Sequence, residues 1–206
     1  MRWILVVLFA CSPAFAAPSD ADSLRLLDLA ASFNPEEASR YGLDKWDDKA
    51  IDLGPGYEAR RRRALSGMAE TLEKRRRSEK DAATQGDLEI LLKWLRLEVR
   101  SSELEEKYLV SYYPLERMIF GGLRPVLDDQ VEPARRQKMV TRLRIYAGLE
   151  PGSTSLCKLA EARMRERMRV PGLLMPVKAE VEKNLMIAEP MLRGLEQLLK
   201  KYQLVG

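Results

Sequence analysis

Apolar residues recur along this chain at helical spacing and almost nowhere at the two-residue spacing of strands. Leu24, Leu27 and Ala31 stand at i, i+3 and i+7 and predict a helix from about Ser23 to Phe33. "NPEEASRYG" reads as a second, short helix, with Asn34 as N-cap, Pro35 as its first residue and Gly42 as a left-handed terminator. Glu36 and Glu37 then face the positive end of its dipole. A third helix is predicted from about Tyr57 to Ser78. Leu65, Met68, Ala69 and Leu72 form its apolar stripe, and Glu58–Arg62, Glu70–Lys74 and Glu73–Arg77 are i,i+4 pairs on its wet side.

"DAATQGD" reads as a loop whose Asp87 caps a fourth helix. That helix carries two apolar stripes. One holds Leu88, Leu91, Leu92, Leu95 and Val99; the other holds Ile90, Trp94, Leu97 and Leu104. A helix apolar on two sides is expected to pack on two sides, which makes this one the centre of the bundle. Pro114 and Pro125 bracket a short helix whose Gly121 and Gly122 would admit a close neighbour. Further helices are predicted from about Pro133 to Ala147, stopped by Gly148, and from about Ser155 to Met168, with Cys157, Ala160, Met164 and Met168 on one face. The last carries a long seam: Val181, Leu185, Ala188, Leu192, Leu195, Leu199 and Tyr202. Its phase runs through Pro190, so one kinked helix is expected there. There is no internal repeat and no linker-like stretch. The predicted fold is all-α: an irregular multi-helix bundle with a long kinked C-terminal helix, forming a single domain over residues 17–206.

The first residues read differently. Arg2, the apolar run Trp3 to Ala10 and the small-x-small ending of "SPAFA" have the layout of an export signal cleaved after Ala16. The run is too short for a permanent membrane span. The expected location is therefore periplasmic or secreted, with a lipoprotein anchored at Cys11 as the alternative. Removing 16 of 206 residues leaves 190, with Cys157 as the lone cysteine. No internal disulfide can staple such a domain, so apolar burial must hold it. The same cut takes Arg2 and lowers the formal charge from +4 to +3, far from the field of a dedicated nucleic-acid binder.

Histidine is absent from the whole sequence. That removes Ser-His-Asp and Cys-His nucleophile pairs, histidine zinc sites and the usual acid/base group near neutrality. No Walker loop, dinucleotide fingerprint, CxxC pair or HExxH helix takes their place. Asp44, Asp47, Asp48 and Asp52 invite a calcium reading, but counting from Asp44 puts Trp46, Lys49 and Pro55 where an EF-hand loop needs an oxygen, a glycine and a glutamate. These aspartates are expected instead to make local turns, with Trp46 and Leu53 plugged into neighbouring helices. The arginine clusters Arg60 to Arg63 and Lys74 to Arg77 fan around their helix instead of lining a groove. Arg135, Lys138 and Arg142 are better aligned, and offer a candidate patch for an acidic partner. Cys157, Met164, Met168, Met175 and Met186 are expected in the core, and Tyr112 and Tyr113 as packing at a loop.

The order of these features resembles the amino-terminal region of a bacterial family. "RLLDLAASFNPEEASRYGLDKWDDKAIDLGPG", "GDLEILLKWLRLEV", "YYPLERMIFGGL" and "RLRIYAGLEPG" follow one another as in the family catalogued as domain of unknown function 885. Full-length members look like gluzincin-type zinc metallopeptidases. The most specific part of the resemblance rests on Pro35, Ala38, Gly42, Trp46, Asp47, Asp48, Asp52 and Leu53. Members often carry a histidine just after the signature glycine, where Asp44 stands here. The resemblance implies that the chain corresponds to about the first third of a typical member. The family's zinc-binding helix, a His-Glu stretch leading to Pro-Gly-His, has no counterpart among these residues. No catalytic, cofactor or metal-binding residue carries over, and zinc is expected only in a complete member. The implied role is a non-catalytic scaffold framing one side of a substrate cleft. The alternative is a self-standing exported protein-interaction module. Expected partners are the family's C-terminal domain or another protein, met through the last amphipathic helix, with no nucleic acid and no integral membrane segment after signal cleavage.

Overall fold

The computed structural model describes residues 19–204, and the predicted export signal, Cys11 included, lies outside them. The fold is all-α, with eight helices and no strand among the described residues. They are α1 (Asp20–Phe33), α2 (Pro35–Arg40), α3 (Tyr57–Ser78), α4 (Ala82–Tyr108), α5 (Leu115–Leu123), α6 (Pro133–Ala147), α7 (Leu156–Met168) and α8 (Lys178–Lys201), with one 3-10 turn at Asp44–Trp46. No described helix is long and apolar enough to cross a membrane.

The helices bury two apolar clusters. In one, α3 lies along α4 with α1 against both, through Leu26, Leu65, Leu72, Leu88, Leu92 and Leu95. Each fully buried leucine removes enough surface from water to contribute about 1.5–3 kcal/mol before entropy is counted. In the other, Leu53, Leu123, Val126, Leu127, Met139, Tyr146, Leu156, Leu195 and Leu199 join the 43–57 segment to α5, α6, α7 and α8. Tyr57, the first residue of α3, belongs to the second cluster and sets its ring edge-on to Phe33 at the end of α1.

Helix ends follow the local signals. Asn34 Oδ1 accepts from Glu37 N–H at 3.3 Å and Ser155 Oγ from Lys158 N–H at 3.4 Å. α2 and α6 end in paired bonds around a left-handed glycine. Leu43 N–H donates to Ala38 O at 3.0 Å across Gly42, and Leu149 N–H to Arg144 O at 2.8 Å across Gly148. One start differs from expectation. α4 begins at Ala82, inside the stretch read as a loop, because Asp81 Oδ2 accepts from Thr84 N–H at 2.7 Å and caps it six residues early. Asp87 is therefore inside the helix, where its carboxylate accepts from Ser19 Oγ at 2.7 Å.

Two packing expectations are also corrected. α4 is not the centre of the bundle: its Leu88–Leu92–Leu95 face is buried, whereas Ile90, Trp94, Leu97 and Leu104 are exposed. α3 and α1 cover its first side. α8 runs unbroken through Pro190, as the phase predicted. Five of its seven predicted seam residues, Val181, Ala188, Leu195, Leu199 and Tyr202, are buried or partly buried, but Leu185 and Leu192 are 69% and 61% exposed, and Asn184 and Met191 stand on the inward face instead. Asn184 explains the first replacement. It is buried because Arg117 Nε donates to its Oδ1 at 2.9 Å and its Nδ2 donates to Tyr112 Oη at 3.0 Å, so a polar residue occupies a seam position. Pro190 and Met186 both face outward, where water can serve the carbonyl that proline leaves without a donor. Cys157, Met168, Met175 and Met186 are exposed, not core residues, since α7 buries Leu156 and Ala160 instead.

Candidate functional site

The Gly42–Leu53 segment is fastened to α6 by the three cations that the sequence offered to an acidic partner. Arg142 is 0% exposed. Its guanidinium donates to Lys49 O at 2.5 Å, Gly122 O at 2.5 Å, Trp46 O at 2.5 Å, Ser39 Oγ at 2.7 Å and Pro35 O at 3.3 Å. One side chain thus ties α2, the acidic segment and α5 to α6. Among the described residues no carboxylate pairs with it; carbonyl dipoles and the Ser39 hydroxyl replace its water. Only a planar fork with five donors can span so many acceptors.

Arg135 meets Asp47 in a two-pronged pair, Nε to Oδ2 at 2.7 Å and Nη2 to Oδ1 at 3.1 Å, with Asp47 fully buried. That hydrogen bond, more than any other influence, holds the Arg135 guanidinium above its usual pKa. Lys138 Nζ donates to Asp44 O at 2.8 Å. The stripe therefore faces inward, because the acidic segment it complements belongs to the same chain.

The remaining signature residues divide by role. Pro35 and Ala38 are buried in α2, and Leu53 is fully buried beneath the start of α3. Gly42 has φ of 86°, a backbone state that suits glycine. Trp46 is half-buried, and Lys45 Nζ lies 5.7 Å from its ring centre. Asp52 makes the expected local turn, accepting from Gly54 N–H at 2.8 Å, and also pairs with Arg60 at 2.8 Å. Asp48 is near Lys49, 3.5 Å away at the surface. Asp47 does not make a local turn; its partner lies 88 residues along the chain.

Beside this clamp, Gly122 lets two buried groups meet. Tyr146 Oη donates to Glu36 Oε1 at 2.8 Å, and Ile51 N–H donates to the same oxygen at 3.0 Å. A Cβ on Gly122 would collide with Tyr146 Oη and lie 2.7 Å from Glu36 Cγ. Burial, then the Glu36 charge, pushes the Tyr146 phenol far above its ordinary pKa.

The fastened segment leads into a cleft. After the turn at Gly54–Gly56, the first residues of α3 form one wall of an open cavity of about 550 Å³. The end of α4, the Leu109–Tyr113 segment, the end of α7 and the stretch around Leu174 to Val177 complete it. A single parallel bridge holds the Leu109–Tyr113 segment to the stretch around Leu174, with Val110 N–H donating to Leu174 O at 2.9 Å and Leu174 N–H to Tyr108 O at 2.8 Å. Inside, Tyr113 Oη donates to Glu58 Oε1 at 3.3 Å. Burial lifts the Glu58 carboxyl above the usual carboxylate range, with Arg61 acting against it. Burial and then Glu58 push the Tyr113 phenol up to about 12. Glu106 is paired with Arg62 and Glu166 with Arg163, while Arg167 donates to Glu106 O. Leu109, Leu174, Met175 and Val177 are exposed around the mouth.

The sequence named Tyr112 and Tyr113 only as packing and did not find the cleft. Its wall is assembled from four separate stretches, and no local pattern joins them. The arginine clusters resolve as expected of a solvated helix, with several members paired to different carboxylates: Arg60 with Asp52, Arg61 with Glu98, Arg62 with Glu106, and Arg76 and Arg77 both with Glu73. Among the described residues no three Cys, Asp or Glu side chains are grouped to hold a metal, and the paired cleft glutamates do not fit a zinc ligand set.

The geometry defines an all-α scaffold with a buried arginine clamp and an open, tyrosine- and glutamate-lined cleft. The chain matches no family model, and comparison with curated proteins and with solved structures finds no match either.

Proposed function

We propose that the chain is the helical, non-catalytic portion of an exported metallopeptidase-like protein, framing a substrate cleft that a downstream zinc domain completes. The observation that carries this reading is continuity. The residues of the family-like signature, Pro35 to Leu53, are locked by Arg142 and Arg135, and the locked segment delivers Tyr57 and Glu58 to the cleft wall. The signature thus serves as the foundation of that wall. A tyrosine- and glutamate-lined cavity with an apolar rim suits an extended polypeptide, whose amides need acceptors and whose side chains need apolar cover. Zinc and its bound water would come from the completing domain, and no step is assigned to residues of this chain.

A second reading, a self-standing exported interaction module without enzymatic activity, is favoured by one specific observation: α4 and α8 both show large apolar residues to solvent. The reading frame that follows Gly206 separates the two. The first reading expects it to continue into a His-Glu helix and a Pro-Gly-His segment, with a zinc-dependent peptidase as product. A stop codon directly after Gly206, or a complete product that holds no zinc and cleaves no peptide, overturns it.

A further inference from the structure

α4 shows solvent one continuous apolar stripe. Ile90, Trp94, Leu97, Leu104 and Tyr108 are exposed at steps of four, three, seven and four, and Ser101 occupies the position that divides the seven. This is the four-three alternation of a coiled-coil seam, about 27 Å long at 1.5 Å per residue. The side packed on α3, through Leu88, Leu92, Leu95 and Ser102, lies nearly opposite.

The flanks of the stripe carry opposite charge. Lys93, Arg100 and Lys107 line one edge; Leu91, Glu98 and Glu105 line the other. Glu89 and Glu103, further round the basic side, are exceptions, and Glu103 lies 3.4 Å from the Arg100 guanidinium of its own helix. In two parallel helices related by a twofold axis, the basic edge of each lies against the acidic edge of the other, five residues further on. Lys93 would then face the partner's Glu98, and Arg100 the partner's Glu105. Antiparallel helices would set like charge against like. The edges are therefore complementary to themselves in the parallel orientation alone.

We propose that this face of α4 is a homodimerisation seam, occupied by α4 of a second copy of the chain running parallel to it. The Arg61–Glu98 pair inside each copy holds Glu98 at the acidic edge. Trp94 and Leu97 supply the apolar centre, and Ser101 leaves room beside them. This inference does not depend on the peptidase-like reading.

Sedimentation equilibrium over a range of concentrations tests it. The expected result is a monomer–dimer equilibrium that Leu97→Asp abolishes while circular dichroism stays unchanged, since Leu97 is 60% exposed and outside the core. Arg100→Glu should weaken association about tenfold, and adding Glu105→Arg should restore it. With Cys11 and Cys157 changed to serine, Tyr108→Cys should cross-link two copies at the seam's end, where antiparallel packing would hold the cysteines about 27 Å or more apart. A chain that stays monomeric at every concentration overturns the proposal. So does a dimer indifferent to Leu97→Asp, or one that Tyr108→Cys fails to cross-link.

Discussion

Arg142 is a fully buried cation held by five hydrogen bonds. A buried guanidinium is costly to desolvate, and here carbonyl and hydroxyl oxygens from three separate stretches compensate it. Removing it would leave those buried acceptors without donors. Arg142→Met should therefore cost about 3–5 kcal/mol in urea unfolding. Arg142→Lys should cost about 2 kcal/mol, because an ammonium keeps the charge but cannot span the same acceptors. Glu58 presents the opposite case. Its pKa is raised in the fold, so its contribution to stability is greatest below the unfolded value of about 4.3 and is lost as pH rises through the folded one. At neutral pH the ionised carboxylate is thus a burden. Glu58→Gln should raise the thermal midpoint at pH 7, still accept from Tyr113, and show no advantage below about pH 4. Thermal scans against pH check this. Tyr113 predicts the alkaline limit: stability falls as pH climbs from about 10 towards its folded value of about 12. Little of this was legible from residue identities, because Arg142, Lys138 and Arg135 form a helical stripe whether their carboxylates and carbonyls lie on a partner or 90 residues earlier in the same chain.

At the scale of elements, most caps and stops were readable, the Asp81 cap of α4 excepted, while the faces of α4 and α8 were less so. Pro133 and Gly148 bound α6, and Gly56 opens α3 at Tyr57, where proline and glycine chemistry acts locally. The inward face of α8 was misjudged at Leu185 because Asn184 looks wrong for a seam until Arg117 and Tyr112 are seen to satisfy it. α4 shows the converse, since an apolar stripe says that burial would be favourable without naming what supplies it. The paired glycines of α5 give a sharp local test. A Cβ on Gly121 would meet only open space, whereas one on Gly122 would run into Tyr146 and Glu36. Gly121→Ala should stabilise by about 0.5–1 kcal/mol, as alanine does in a helix interior. Gly122→Ala should destabilise by about 1–3 kcal/mol through overpacking, and Tyr146→Phe in the same chain should recover part of that loss. Denaturant curves for the three variants decide it.

For the whole molecule, the arrangement is a leucine-rich hairpin of α3 and α4 joined to a mixed bundle of α2 and α5–α8, with the acidic segment stitched between them by polar bonds. The clamp lies outside the hairpin's apolar cluster, so loosening it should loosen one region selectively. Protection of the 43–54 amides is the readout. Leu43, Trp46, Asp47, Lys49, Ile51 and Gly54 all donate to oxygens within or beside the segment. Hydrogen exchange followed by mass spectrometry on the wild-type chain and Arg142→Lys therefore tests the central claim, that the acidic segment is a connector fastened by α6. The predicted result is faster exchange across 43–54 in the variant, with residues 65–95 of the hairpin unchanged. Equal exchange across 43–54 in the two proteins would contradict it.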